Sequence, residues 1–156
     1  MEKLSNKLTL LSLTNSLTLA RLCEILAKSL DGKRAICIDK ENKAEIIAYI
    51  TQSERHKKKW RHIIELLLHG QKNTNLYDKE EINDKCKGVT AMKFFKGQEN
   101  DRIYCKEVRT PQGIFIIVTA ELYLKKKTDN VSKKEIPTIE KVASYEYEIE
   151  QDRNKS

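Results

Sequence analysis

The sequence predicts an α+β protein in which N-terminal helices pack on an antiparallel β-sheet meander followed by a C-terminal helix. Three observations carry this. Trp60, Ile63, Ile64, Leu67 and Leu68 recur at i, i+3, i+4, i+7 and i+8, which places them on one helix face. Val89–Phe95, Arg102–Thr110 and Ile114–Leu124 are rich in β-branched and aromatic residues, with turn chemistry at Gly97–Asp101 and Pro111-Gln112-Gly113 between them. Ser132-x-x-Glu135 then offers a capping box for a last helix, expected to run to about Glu150.

Taken in order, Leu8–Leu22 is rich in Leu, Ser and Thr and alternates loosely; strand pair, helix and extension all remain open for it. Cys23–Leu30 fits helix or strand, Asp31-Gly32 is a turn signal, and Arg34–Ile38 is a short β-prone run. Ala44–Ile50 reads as a helix. Thr51-x-x-Glu54 is a candidate capping box for the amphipathic helix, and Gly70 is placed to stop it. Trp60 is expected as a core anchor of the stripe, with Lys57, Lys58, Lys59 and Arg61 pointing to solvent. Asn73–Lys87 is polar and reads as a loop or short irregular helix. Pro137 stands early in the last helix and can shift its start. The expected plan is one layer of helices on one sheet. Its domain organisation is an N-terminal extension of uncertain structure over 1–40, a single α+β domain over 41–150 and a flexible tail over 151–156.

The formal net charge of +7 favours polyanion partners. Basic residues gather at Arg55–Arg61 and from Lys93 to Lys134, and the chain turns acidic after Glu135. Cys23, Cys37, Cys86 and Cys105 have no C-x-x-C spacing, so reduced thiols and a cytoplasmic protein are expected. His62 and His69 lie two helical turns apart, about 10 Å, too far to share one metal ion; no metal and no cofactor are expected. The polar residues Thr9, Ser12, Thr14, Asn15, Ser16 and Thr18 interrupt the apolar start, which argues against a signal peptide or a membrane span. Phosphate-loop, dinucleotide, zinc-protease and serine-hydrolase motifs are absent, and no His–Cys pair stands out.

What remains is cationic and aromatic. On the strand Arg102–Thr110, residues of one parity share a face, which groups Arg102, Tyr104 and Lys106. The preceding strand adds Lys93, and the following one runs into Lys125, Lys126 and Lys127. A meander spaces its strands about 4.8 Å apart, so Lys93, Arg102 and Lys126 or Lys127 can converge on one face. The same residues serve equally as solvent-facing positions that keep a sheet soluble. Tyr104 suits stacking on a splayed base, and equally a half-buried strand position.

Met92-Lys93-Phe94-Phe95, Asn100-Asp101-Arg102-Ile103-Tyr104, Gly113–Leu124 leading into Lys125-Lys126-Lys127-Thr128, and Ser132-Lys133-Lys134-Glu135-Ile136 resemble, in order and spacing, the toxins of the RelE/HigB superfamily. The resemblance covers about Val89–Tyr147. It implies a microbial RNase-like fold and ribosome-dependent cleavage of messenger RNA without a metal. It also implies a cognate antitoxin, often a helix-turn-helix protein, and no membrane. Lys93, Arg102, Lys126 and Lys127 match the family's basic positions and become the expected catalytic set. Tyr104, Lys106, Lys125, Lys57, Lys58 and Arg61 are the expected RNA-binding residues. Tyr145 or Tyr147 can match a C-terminal tyrosine of some members. No histidine falls in the resembling region, which leaves the general base open. The superfamily also contains gyrase inhibitors and inactive members, so a non-catalytic binding module of the same fold is the alternative. The chemistry required is a deprotonated 2′-hydroxyl, a stabilised phosphorane and a protonated leaving oxygen. The arginine fork of Arg102 suits the phosphate, and a lysine crowded by cations has a lowered pKa.

Overall fold

The computed structural model describes residues 20–96, 98–124 and 134–150. The chain runs β1 (Arg21–Lys28), β2 (Arg34–Asp39), α1 (Lys43–Ile50), α2 (Glu54–Leu68), β3 (Tyr77–Lys79), a 3-10 turn at Asp84–Cys86, β4 (Val89–Lys93), β5 (Arg102–Arg109), β6 (Phe115–Tyr123), α3 (Glu135–Ser144) and β7 (Tyr147–Ile149). The strands form one mixed sheet of order β3-β4-β5-β6-β2-β1-β7.

The expected meander forms. β4 pairs antiparallel with β5, placing Ala91 beside Tyr104 and Lys93 beside Arg102. β5 pairs antiparallel with β6, with a shift of register between Tyr104 and Cys105. Helix α2 also forms as its stripe predicts, but its N-cap differs from the Thr51 capping box. Ser53, extended in backbone, accepts a hydrogen bond from the His56 amide and closes the N-terminus two residues later. Ile63 and Leu67 are buried, and Trp60, half-buried, stacks on Phe94 with centroids 6.5 Å apart. Burial of two such aliphatic side chains contributes about 3–6 kcal/mol, more than the helix's three consecutive lysines can oppose.

Three expectations are corrected. The boundary at residue 40 does not exist, because β1 and β2 belong to the sheet. β2 lies parallel to β6, Ala35 beside Ile116 through Ile38 beside Thr119, and Ile36, Cys37 and Ile38 are buried. The run Arg34–Ile38 thus forms an interior strand of the domain rather than part of an extension. Second, the last helix ends at Ser144 rather than near Glu150. Tyr145 turns extended, and Tyr147–Ile149, polar and apolar in alternation, pairs parallel with Arg21–Cys23. Third, helices cover both faces of the sheet. α1 and α2 pack on the face carrying Ile36, Ile38, Met92, Phe94, Ile103 and Ile117. Ile139 and Val142 of α3 pack with Val89, Ala91 and Tyr104. Side chains alternate along a strand, so Ala91 and Met92 point to opposite faces, and α3 covers the second one. The polar segment 73–87 is mostly loop with a short 3-10 turn, as expected, and adds the unexpected edge strand β3. Residues 1–19 and the tail 151–156 lie outside the described residues, as does Ser132 of the second capping box.

Candidate nucleic-acid interface

The parity argument for the sheet holds, but its conclusion about exposure does not. Lys93, Arg102, Tyr104 and Lys106 share one face, and that face lies under α3. Arg102 is 6% exposed, Lys93 8% and Tyr104 0%. The Arg102 guanidinium donates to the carbonyls of Asn100, at 2.9 Å, and Asp101, at 3.4 Å. It thereby holds the β4–β5 turn, where Asn100 adopts φ 57°. The Lys93 ammonium lies 3.9 Å from Asp78, and burial, with Arg102 close by, lowers its pKa. The Tyr104 hydroxyl donates to the Glu135 carboxylate at 2.6 Å. Burial first, and then that carboxylate, raise its pKa. Half-buried Lys106 donates to the carbonyls of Ala143, at 2.7 Å, and Tyr145, at 2.6 Å. Those oxygens belong to the end of α3, so the ammonium caps that terminus. Burial lowers the Lys106 pKa too. Three of the side chains expected to meet RNA on the sheet, Arg102, Tyr104 and Lys106, are therefore bonded within the fold, and Lys93 is buried beside them. The face is covered because Ile139 and Val142 give α3 an apolar side, a consequence of sequence well beyond the strand itself. Lys125, Lys126 and Lys127 lie outside the described residues.

A second polar cluster, unanticipated, joins β1, β2 and β7. Asp39, fully buried, accepts from Arg21 Nε at 2.8 Å, from the Tyr147 hydroxyl, and from the amides of Glu41 and Asn42 at 2.8 and 3.1 Å. With both oxygens engaged, Asp39 is a structural anchor and has no lone pair directed at a substrate. Tyr145 meets Glu121 through its hydroxyl and carries the Arg21 guanidinium 3.9 Å over its ring. The C-terminal tyrosines therefore serve packing.

The open cationic surface is on α2. Its apolar stripe faces the sheet, which turns Lys58, Arg61 and His62 outward and leaves Lys57 and Lys59 half-exposed. Lys57 pairs with Glu54 at 3.3 Å. Lys58, Lys59 and Arg61 make no ion pair among the described residues. Phe95, at the end of β4, packs under the start of this helix. The Arg55 guanidinium lies 3.6 Å over its ring and the Lys59 ammonium 5.7 Å from the ring centroid. Arg55 also bonds Gln98 and lies 3.6 Å from Glu99. Arg55, Lys58, Lys59, His62, Phe95 and Gln98 line an open concavity of about 540 Å³. This arrangement presents several donors to a phosphate, while Phe95 and Gln98 fix Arg55 in place. Neither Phe95 nor the particular position of Arg55 within its basic cluster stands out in the sequence. The signal is the Phe94-Phe95 pair: just past β4 both rings enter the core beneath α1 and α2, Phe94 against Tyr49 and Trp60, Phe95 against His56 and Arg55.

Among the described residues no three His, Cys, Asp or Glu side chains gather to hold a metal ion, and no helix is long and apolar enough to cross a membrane. All four cysteines are free thiols and buried. The chain matches no family model, no curated protein and no solved structure.

Proposed function

We propose that this chain is an RNA-directed toxin of the RelE/HigB type, acting on messenger RNA at the ribosome in the cytoplasm and restrained by a helix-turn-helix antitoxin. The observation that carries the RNA contact is the set Lys58, Lys59 and Arg61, without ion pairs among the described residues, beside Arg55 held on Phe95. The charges of Lys58, Lys59 and Arg61, without ion pairs among the described residues, are available to phosphate, and the release of counterions on binding makes it steep in salt. The family reading rests on the residue resemblance over 89–147, and the meander followed by a helix accords with it. Metal-independent endoribonuclease activity is the chemistry this reading implies. Binding without cleavage is the second reading, favoured by the burial of Arg102 and Tyr104.

Induced expression in a bacterium tests the reading. Messenger-RNA 5′ ends are mapped on ribosomes while the protein is followed through ribosome fractions at low and moderate salt. New ends with salt-sensitive association support the toxin. Salt-sensitive association without new ends supports the binding module. No association at low salt refutes RNA contact through α2.

A further inference from the structure

The three histidines of the chain all lie on α2 or at its end, and their ring nitrogens are engaged very differently. His56 is buried, and its two nitrogens meet Ser53 at 2.7 Å and Gln52 at 3.0 Å. His69 meets the Glu65 carbonyl through Nδ1 at 2.8 Å. His62 is exposed, has no hydrogen bond or ion pair among the described residues, and lines the cationic concavity of about 540 Å³. It is the one imidazole whose nitrogens are open to a ligand there.

The helix fixes what surrounds that imidazole. Arg55, Lys58, Lys59 and His62 recur at i, i+3, i+4 and i+7, one face of α2 about 10 Å long. Arg55 is held over the Phe95 ring at 3.6 Å and bonded to Gln98. The Lys59 ammonium leans toward the same ring, 5.7 Å from its centroid. Lys58 has no ion pair among the described residues. One imidazole therefore shares a cavity with three cations, and the cavity has the volume for one nucleotide. The nearby carboxylates are occupied: Glu54 pairs with Lys57 at 3.3 Å and Glu99 with Arg55 at 3.6 Å.

We infer that His62 is the general base of metal-independent RNA cleavage in this concavity, an inference that rests on the RNA reading above and puts its chemistry on α2 rather than on the covered sheet. Arginine and lysine cations bind a phosphodiester but carry no lone pair for a proton. A neutral imidazole does, and it is the side chain most often used for proton transfer. The unprotonated nitrogen of His62 takes the 2′-hydroxyl proton, O2′ bonds to phosphorus, and the P–O5′ bond breaks. Arg55 and Lys59 meet the charge that gathers on the phosphorane oxygens. The Lys58 ammonium, one turn before His62, protonates the departing O5′, and the imidazolium proton returns to Lys58 through water. The products are a 2′,3′-cyclic phosphate and a 5′-hydroxyl; one proton has moved from O2′ to O5′, and no co-reactant is consumed. His62 is thus what separates a cleaving surface from a binding one.

The full chain is mixed, up to saturating amounts, with ribosomes carrying a 5′-labelled messenger RNA, and single-turnover cleavage is followed beside co-sedimentation. Wild type should release fragments ending in a 2′,3′-cyclic phosphate. His62→Ala should slow cleavage about 100-fold or more, even at saturation. Its melting temperature should not change, because the side chain is exposed. His62→Arg adds charge but cannot give up its proton, so it should associate at least as well as wild type and cleave as slowly as His62→Ala. His69→Ala, outside the concavity, should cleave at the wild-type rate. Association of the wild type without cleavage, undiminished cleavage by His62→Ala, a loss that saturation overcomes, or cleavage restored in His62→Arg would overturn the assignment and leave RNA contact through α2 standing. Absence of association at low salt would refute the RNA reading itself.

Discussion

Replacing Tyr104 by phenylalanine removes one oxygen from the interior and nothing from the surface. Tyr104 and Glu135 are both 0% exposed, and the phenol donates to the carboxylate at 2.6 Å. A hydrogen bond to a charged group contributes about 1.5–3 kcal/mol, and the partner left behind keeps its desolvation cost. Ring packing against Ile139, Val142 and Ala91 is retained in the variant. The expected loss is therefore about 2 kcal/mol, or about 4–8 °C in melting temperature for a chain of this size. The assay is urea unfolding of the wild type, Tyr104→Phe, Glu135→Gln and the double variant. The cycle should return a coupling of about 1–2 kcal/mol between the two sites. RNA association of the folded Tyr104→Phe and Tyr104→Leu variants should equal that of the wild type. Additive single losses, or an RNA affinity that falls with Tyr104→Leu at unchanged fold, would refute the structural role argued for this tyrosine.

Further outcomes follow from the same geometry. Lys58→Ala with Lys59→Ala and Arg61→Ala should weaken RNA binding and reduce the salt slope by roughly 0.7 for each phosphate no longer neutralised, with the melting temperature unchanged; an unaltered slope in a salt titration would remove α2 from the interface. Arg102→Ala should destabilise by about 2–3 kcal/mol, because the carbonyls of Asn100 and Asp101 lose a charged donor; a fully stable variant in denaturant titration would contradict its burial. Asp39→Ala should cost about 3–5 kcal/mol by leaving Arg21 without its buried partner, read by thermal unfolding, and loss of amide protection should begin in β7. At alkaline pH, Tyr49, Tyr77 and Tyr104 carry raised pKa values through burial. The protonated phenol is favoured in the fold, so that stabilisation is complete below about pH 10 and is lost as pH rises further, at about 1.4 kcal/mol per unit for each fully buried phenol. Lys93 and Lys106, with lowered values, change stability in the opposite direction only up to about pH 10.5. A urea midpoint that stays constant from about pH 10.5 to about 12 would contradict the tyrosine account.

The parts of this fold that are legible in the sequence are those set by neighbours in the chain. The Trp60–Leu68 stripe fixes α2, and short turns between β-rich runs fix β4, β5 and β6. Arg34–Ile38 is visible as β-prone, but nothing near it announces a parallel partner at Phe115–Thr119. The alternating Tyr-Glu-Tyr-Glu-Ile-Glu run merges in the sequence with a helix that opens with good helical pattern; period-2 texture over so few residues competes poorly with such an opening. The site shows the same division. Parity correctly places Lys93, Arg102, Tyr104 and Lys106 on one face, yet exposure depends on what lies above that face, and α3 begins more than 25 residues away. By contrast Lys58 and Arg61 are exposed because their own helix turns them outward, a local matter that periodicity resolves.

The parallel pairing of β2 with β6 also sets the order in which the chain can be assembled. Arg34 meets Phe115 and Ile38 meets Thr119, so an interior strand made early has to wait for a partner some 80 residues downstream. During synthesis the hairpin of β1 and β2 has both edges open, that of β2 until β6 has left the ribosome and that of β1 until β7 follows. Folding is therefore expected to be slow and to converge late, with β6 inserted between β2 and β5 as the step that closes the sheet. Truncation before Phe115 leaves both β2 and β5 as exposed edges, and such nascent chains should depend on chaperones or aggregate rather than persist as a smaller folded unit.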